Sequence, residues 1–157
     1  MILNINALDT SSVNNAVQAM ERYVDDMESK SMRVCQRLAE IGAVRASLDF
    51  SRAFYNGTND VGITVEPISH GYAIHASGGA VLFIEFGSGV TYGYGHPRPE
   101  GYGAGTYPGK GHWDDPKGWW YGNHQHSYGN PPSAAMYNAE QDVIQHVEQV
   151  AREVFGE

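Results

Sequence analysis

Apolar residues recur early in the chain in alternating steps of four and three: Val13, Val17, Met20, Val24, Met27, Val34, Leu38 and Ile41, with Ser31 filling the one seam position that is not apolar. That spacing predicts an amphipathic helix. Ser11 or Ser12 is placed to cap its start, and Gly42 stands where a C-terminal glycine belongs. Glu21, Asp25, Asp26 and Glu28 precede Lys30, Arg33 and Arg37, the order that complements the helix dipole. Thirty helical residues span about 45 Å at ~1.5 Å each, more than the expected diameter of the remaining domain. Either the helix kinks near Ser31 or its end reaches a neighbouring molecule.

Past Gly42 the pattern turns extended. Residues 47–50 read as the start of a strand, Asn56-Gly57 as a turn, and residues 61–66 alternate until Pro67. Residues 71–77 alternate next, and Gly78-Gly79 reads as a hairpin turn into a strand over 80–86. Three or four antiparallel strands result. In the last of them Leu82, Ile84 and Phe86 share one face and Val81, Phe83 and Glu85 the other, so the sheet carries apolar residues on both faces and calls for association or a cover. A second helix follows Pro131-Pro132, with Ser133 as its cap, an apolar face at Met136, Ala139, Val143, Val147, Val150 and Val154, and an acidic opposite face. The fold class is α+β: a long N-terminal helix and a C-terminal helix packed on a small antiparallel sheet, in a single domain over 1–157.

Between sheet and second helix, residues 87–130 carry 12 glycines and nine Tyr or Trp residues without helical or strand periodicity. Connections in compact domains run to about 4–6 residues, so a loop of this length is functional, disordered or ordered by a partner. Trp113, Trp119, Trp120 and Tyr121 could stack on sugars or bases. They could equally anchor the loop against its own domain or an adjacent protomer, since protein interfaces are rich in Tyr and Trp. The near balance of Arg98, Lys110 and Lys117 against Glu100, Asp114 and Asp115 favours contact with protein. The expected interface residues are Phe83, Glu85, Trp113, Trp119, Trp120 and Tyr121. Glu85, beside Gly87 and Gly89, either caps or bridges loop backbone or is a solvated carboxylate.

Charge and composition narrow the function. A formal charge of −8 argues against gripping phosphates, which needs clustered Lys and Arg. Cys35 is alone, so no internal disulfide forms, and its helical surroundings suit a small buried residue. No apolar run is long enough for a membrane span, and the first residues lack the pattern of a signal peptide, so the chain reads as soluble, cytoplasmic and free of membranes. His96, His112, His124 and His126 near Asp114 and Asp115 raise the question of a metal site, but these residues sit among glycines without a rigid ligand spacing. Gly87-Ser88-Gly89 is too short for a nucleophile elbow, and Gly93-Tyr94-Gly95 lacks the later glycine and helix of a phosphate loop. The expectation is no enzyme, no cofactor and no metal.

The order of elements, together with Ile84-Glu85-Phe86-Gly87-Ser88-Gly89, Gly111-His112-Trp113, Gly118-Trp119-Trp120-Tyr121 and Gly129-Asn130-Pro131, resembles the tail-completion family of long-tailed phages typified by gene product ten of a lambdoid phage. The chain departs from that pattern at 131–139, where the family has Pro-Phe-Met and a small residue, and after the first helix, where it lacks an Asp-Thr-Gly-x-Leu segment. The resemblance implies a structural virion protein: a homo-oligomeric ring, a hexamer, acting as tail terminator, head-tail joining or minor capsid subunit in the neck. Its partners would be itself, the head connector and the tail tube, with DNA passing through an acidic lumen. The alternative is a small glycan- or metal-binding module using the aromatic, His-rich loop.

Overall fold

A computed structural model describes residues 5–6, 8–55, 59–89, 92, 95–98, 115–120 and 126–156. The elements are α1 (Thr10–Ser51), β1 (Gly62–Ile68), β2 (Gly71–Ser77), α2 (Val81–Phe86), β3 (Trp119–Trp120), β4 (His126–Ser127) and α3 (Ala135–Gly156). The class is α+β, with two antiparallel two-stranded sheets.

The first helix is longer than the sequence suggested. Asp9, not Ser11 or Ser12, is the N-cap: its Oδ1 accepts the Ser11 N–H at 3.0 Å. The helix continues unbroken through Ser31, whose hydroxyl donates to the Met27 carbonyl one turn back (2.8 Å). It also runs through Gly42 and 47–50, residues expected to end it and to begin a strand. Gly42 is not a terminator because it serves close approach. A Cβ there would lie 2.6 Å from Ile74 Cδ1 of β2 and 2.8 Å from Val143 Cγ2 of α3, so three elements converge on a position without a side chain. The helix ends where Asn59 Nδ2 donates to the carbonyls of Phe50 (2.7 Å) and Ala53 (3.0 Å), the Phe50 carbonyl also accepting the Ala53 N–H at 3.0 Å.

At ~1.5 Å per residue the 42 residues of α1 reach about 63 Å, and its buried residues other than Ala16 all lie in the second half. There α3 runs antiparallel to it, tied by Asn138 Nδ2 to Asp49 Oδ2 (2.8 Å) at one end and by an Arg37–Glu153 ion pair at the other. The β1–β2 hairpin lies alongside, with the Tyr72 hydroxyl 3.5 Å from Gln36 Oε1. The core gathers Ala46, Phe50, Ala80, Ile84, Ala135 and Ala139. Before Ala39 the one buried residue of α1 is Ala16.

The sheet has fewer strands than expected. β1 and β2 pair over seven positions from Gly62↔Ser77 to Ile68↔Gly71, so the turn is Ser69-His70 and Pro67 lies inside β1. The predicted strand over 80–86 is instead a short helix. A continuous apolar run fits either state by periodicity alone; capping decides it. The Asp60 carboxylate accepts the N–H groups of Gly79 (2.6 Å) and Ala80 (3.0 Å), and the Ile84 N–H closes on the Ala80 carbonyl (2.9 Å). Ile84 and Glu85, neighbours in sequence, are both buried, which a strand's alternation would not permit.

Two expected outcomes follow. Gly42→Val should lower stability by about 2 kcal/mol in urea unfolding, because overpacking costs ~1–3 kcal/mol and Val143, branched at Cβ, has little room to turn away. The N–H groups of Ala80 and Gly79, in that order, hold Asp60 below its ordinary pKa. Its stabilisation is therefore full above the unfolded pKa and lost as pH falls through the folded one. The stability gap between wild type and Asp60→Asn should be constant above about pH 5 and narrow below about pH 4 in pH-resolved unfolding.

Candidate interaction surface

Residues 87–130 begin and end at one crossing. Ser88 and Asn130 form an antiparallel bridge, Ser88 N–H to Asn130 carbonyl at 3.0 Å and Asn130 N–H to Ser88 carbonyl at 3.1 Å. The Ser88 hydroxyl donates to the Asn130 side-chain carbonyl, while Asn130 Nδ2 donates to the Phe83 carbonyl at the end of α2 (3.0 Å). Side chains are excluded here: a Cβ on Gly129 would stand 1.8 Å from the Ser88 carbonyl oxygen, and one on Gly89 2.3 Å from that of Tyr128. Both glycines also have positive φ, 105° and 79°.

Glu85 fixes what lies on either side of this crossing. It is 4% exposed, and both of its oxygens are used. Oε2 accepts the Met136 N–H at 2.9 Å, and Oε1 the Tyr137 N–H at 3.2 Å. The carboxylate therefore caps α3 from another element and favours the helix's positive end. In return the backbone carbonyls of Ile84 and Glu85 accept the N–H groups of Ser133 (2.8 Å) and Ala134 (3.1 Å). Ser133, the expected cap, supplies only its backbone; its hydroxyl is buried with no hydrogen-bond partner.

The third group on Glu85 is His96, buried, with Nε2 3.1 Å from Oε1. Its Nδ1 accepts the Arg98 N–H at 3.0 Å, so the ring proton sits on Nε2 and points at the carboxylate. His96 also packs on Phe86 at 4.5 Å between ring centroids and edge-on to Tyr137 at 6.1 Å. Arg98 lies 5.3 Å from the Tyr137 ring centroid and pairs with Glu140 at 2.8 Å. A buried carboxylate beside an imidazole has the look of an acid–base pair, yet each oxygen and ring nitrogen is committed to a structural bond. Together these bonds hold α2, the start of α3 and residues 96–98 to one another.

Beyond it, β3 and β4 pair Trp119↔Ser127 and Trp120↔His126. Strand alternation sends the two tryptophans opposite ways: Trp119 is buried and Trp120 is 69% exposed. His126 stands between Trp120 and Tyr128, edge to face with each at 4.5 and 4.6 Å. Three rings thus form one surface knot whose outer members are open to solvent.

The expected interface residues fare differently. Trp120 is presented outward, and Trp119 is interior. Phe83 stacks on Tyr55, centroids 4.3 Å apart and planes 7° from parallel, and Tyr55 in turn packs against the core. Glu85, read from the sequence as a cap or bridge of loop backbone or else as a solvated carboxylate, is buried and caps α3. Trp113 and Tyr121 lie outside the described residues, as do His112, Asp114 and His124 of the weighed metal site. Among the described residues no three His, Cys, Asp or Glu side chains come together as a metal site would require, and no helix is long and apolar enough to cross a membrane. Sequence reasoning missed His96 as the partner of Glu85, and Asn130 as the latch; the only signal for Asn130 was its place before Pro131-Pro132. Comparisons with protein-family models, with curated proteins and with solved structures find no match for this chain.

Glu85→Ala should cost about 2–4 kcal/mol, since it strips a charged acceptor from buried N–H groups and removes a helix cap. Glu85→Gln should cost less, because it keeps one acceptor. Urea unfolding gives the magnitudes, and amide exchange should show protection at Met136 and Tyr137 falling first.

Proposed function

We propose that this chain is a structural subunit of a tailed-phage virion, a ring-forming neck or tail-completion protein between head connector and tail tube. The observation that carries the reading is the use of the motif on which the resemblance rests. Glu85-Phe86-Gly87-Ser88-Gly89 and Gly129-Asn130-Pro131 meet as the latch that closes the long loop and seats α3. A motif used in this way builds a frame for presenting a loop, and the exposed Trp120–His126–Tyr128 knot is what that frame holds out. Interfaces draw on such aromatic anchors. The formal charge of −8 suits a lumen that DNA slides through without sticking.

The alternative, a small glycan-binding module, is favoured by one feature, the open face of Trp120, since flat rings also stack on sugars. Trp120→Ala separates the two. The fold should be unchanged to within about 0.5 kcal/mol, as for other surface changes, while incorporation into purified phage particles, read by mass spectrometry, should fall at least tenfold. A wild-type chain absent from particles but retained on a glycan array through Trp120 would overturn the virion reading.

A further inference from the structure

The first half of α1 keeps its apolar seam in the open. Val17 is 48% exposed, Met20 54% and Val24 59%, and with Glu21 and Asp25 they line a shallow groove of about 350 Å³. Of the charged residues at 10–29, Glu21, Asp25, Asp26 and Glu28 outnumber Arg22, so this is an apolar stripe with an acidic border.

The other end of the same helix carries the complement. Arg45, Asp49, Arg52 and Phe54 on one side and Pro131 and Pro132 on the other line a larger groove of about 480 Å³. In the same stretch of α1, Val44 and Leu48 are exposed one turn apart, Val44 at 70%. Asp49 is occupied by Arg45 at 2.9 Å and by Asn138. Arg52 has no carboxylate partner among the described residues, so the groove presents a net positive, apolar-rimmed face.

These two surfaces sit on one helix, and residues 21 and 49 are separated by about 42 Å at ~1.5 Å per residue. A continuous helix cannot bring its own ends together, so they can meet only between molecules. Symmetric pairing of two seams would set Glu21, Asp25 and Glu28 of one copy near the same acids of the other, which like-charge repulsion opposes. We infer that the acidic, apolar first half of α1 docks into the Arg52–Phe54 groove of a second copy of this chain. The contact joins unlike surfaces, so it repeats head to tail and closes into a ring where the rotation permits. The inference rests on the reading of the chain as a ring-forming subunit and assigns the surfaces that form it.

Two charge-reversed chains test it. Glu21→Arg/Asp25→Arg makes the seam basic opposite a basic groove, and Arg52→Glu makes the groove acidic opposite an acidic seam. All these side chains are exposed, and circular dichroism should report unchanged folds. In analytical ultracentrifugation the wild type should form a closed assembly, each variant alone should associate at least tenfold more weakly, and an equal mixture of the two should regain assembly, because every contact in an alternating ring is then complementary. Met20→Asp should weaken assembly similarly through the apolar seam. A wild type that assembles while all variants assemble equally well, or a mixture that fails to recover, overturns the docking surfaces and leaves the ring-forming reading standing. Self-association of the Glu21→Arg/Asp25→Arg chain by itself would point to paired seams and overturn the head-to-tail contact. A wild type that stays monomeric at millimolar concentration overturns both.

Discussion

One carboxylate holds the junction on which this fold turns. The first N–H groups of a helix have no partner within it, and burial makes leaving them unsatisfied costly. Glu85 answers that need for α3 from the last turn of α2, while the carbonyls at 84 and 85 take the N–H groups of 133 and 134. Two helix ends thus complete each other. The exchange is tight enough to hold Ala134 at φ 51°, a left-handed conformation disfavoured for a residue with a side chain. Because α3 in turn covers the second half of α1, the position of the Glu85 carboxylate sets the geometry of the whole packed body.

The same carboxylate explains why a loop so rich in glycine has fixed ends. His96 brings one part of the loop to Glu85, and the Ser88–Asn130 crossing joins its first and last residues. Glycine at 89 and 129 permits that crossing because no side chain fits between the two backbones. Closing a long loop costs only logarithmically more than closing a short one. A few well-placed bonds at the base therefore suffice to close the loop, and the aromatic knot of Trp120, His126 and Tyr128 stands on the β3–β4 pair.

What the sequence made legible follows from how local each determinant is. The two long helices and the β1–β2 hairpin show in their periodicity, which is a property of neighbours along the chain. The helical state of 81–86 does not, since Val-Leu-Phe-Ile-Glu-Phe suits a strand equally well and the choice is made by Asp60, some twenty residues earlier. Gly42 misled for a related reason. A glycine after an apolar stripe reads as a helix end, but here it makes room for Ile74 and Val143, contacts that sequence position does not reveal. Glu85 was noticeable as a lone acid in an apolar run, though its role depends on residues about fifty positions away. The split between Trp119 and Trp120 follows from strand alternation, which becomes visible only once the hairpin is known.

The bare half of α1 needs nothing from its seam to remain helical. Starting a helix is the unfavourable step and extension adds a bond for each residue fixed; the packed half supplies the start, Asp9 caps the far end, and pairs such as Lys30–Asp26 at 3.2 Å support the exposed turns. Polar residues at 17, 20 and 24 would serve helix formation as well as Val, Met and Val do, and would leave less apolar surface in water. Apolar side chains in regular register on a segment that joins no core among the described residues are what the proposed contact between copies would use. In that proposal the acidic border would choose the surface, with the groove that carries Arg45 and Arg52 at the opposite end of the same helix as its complement.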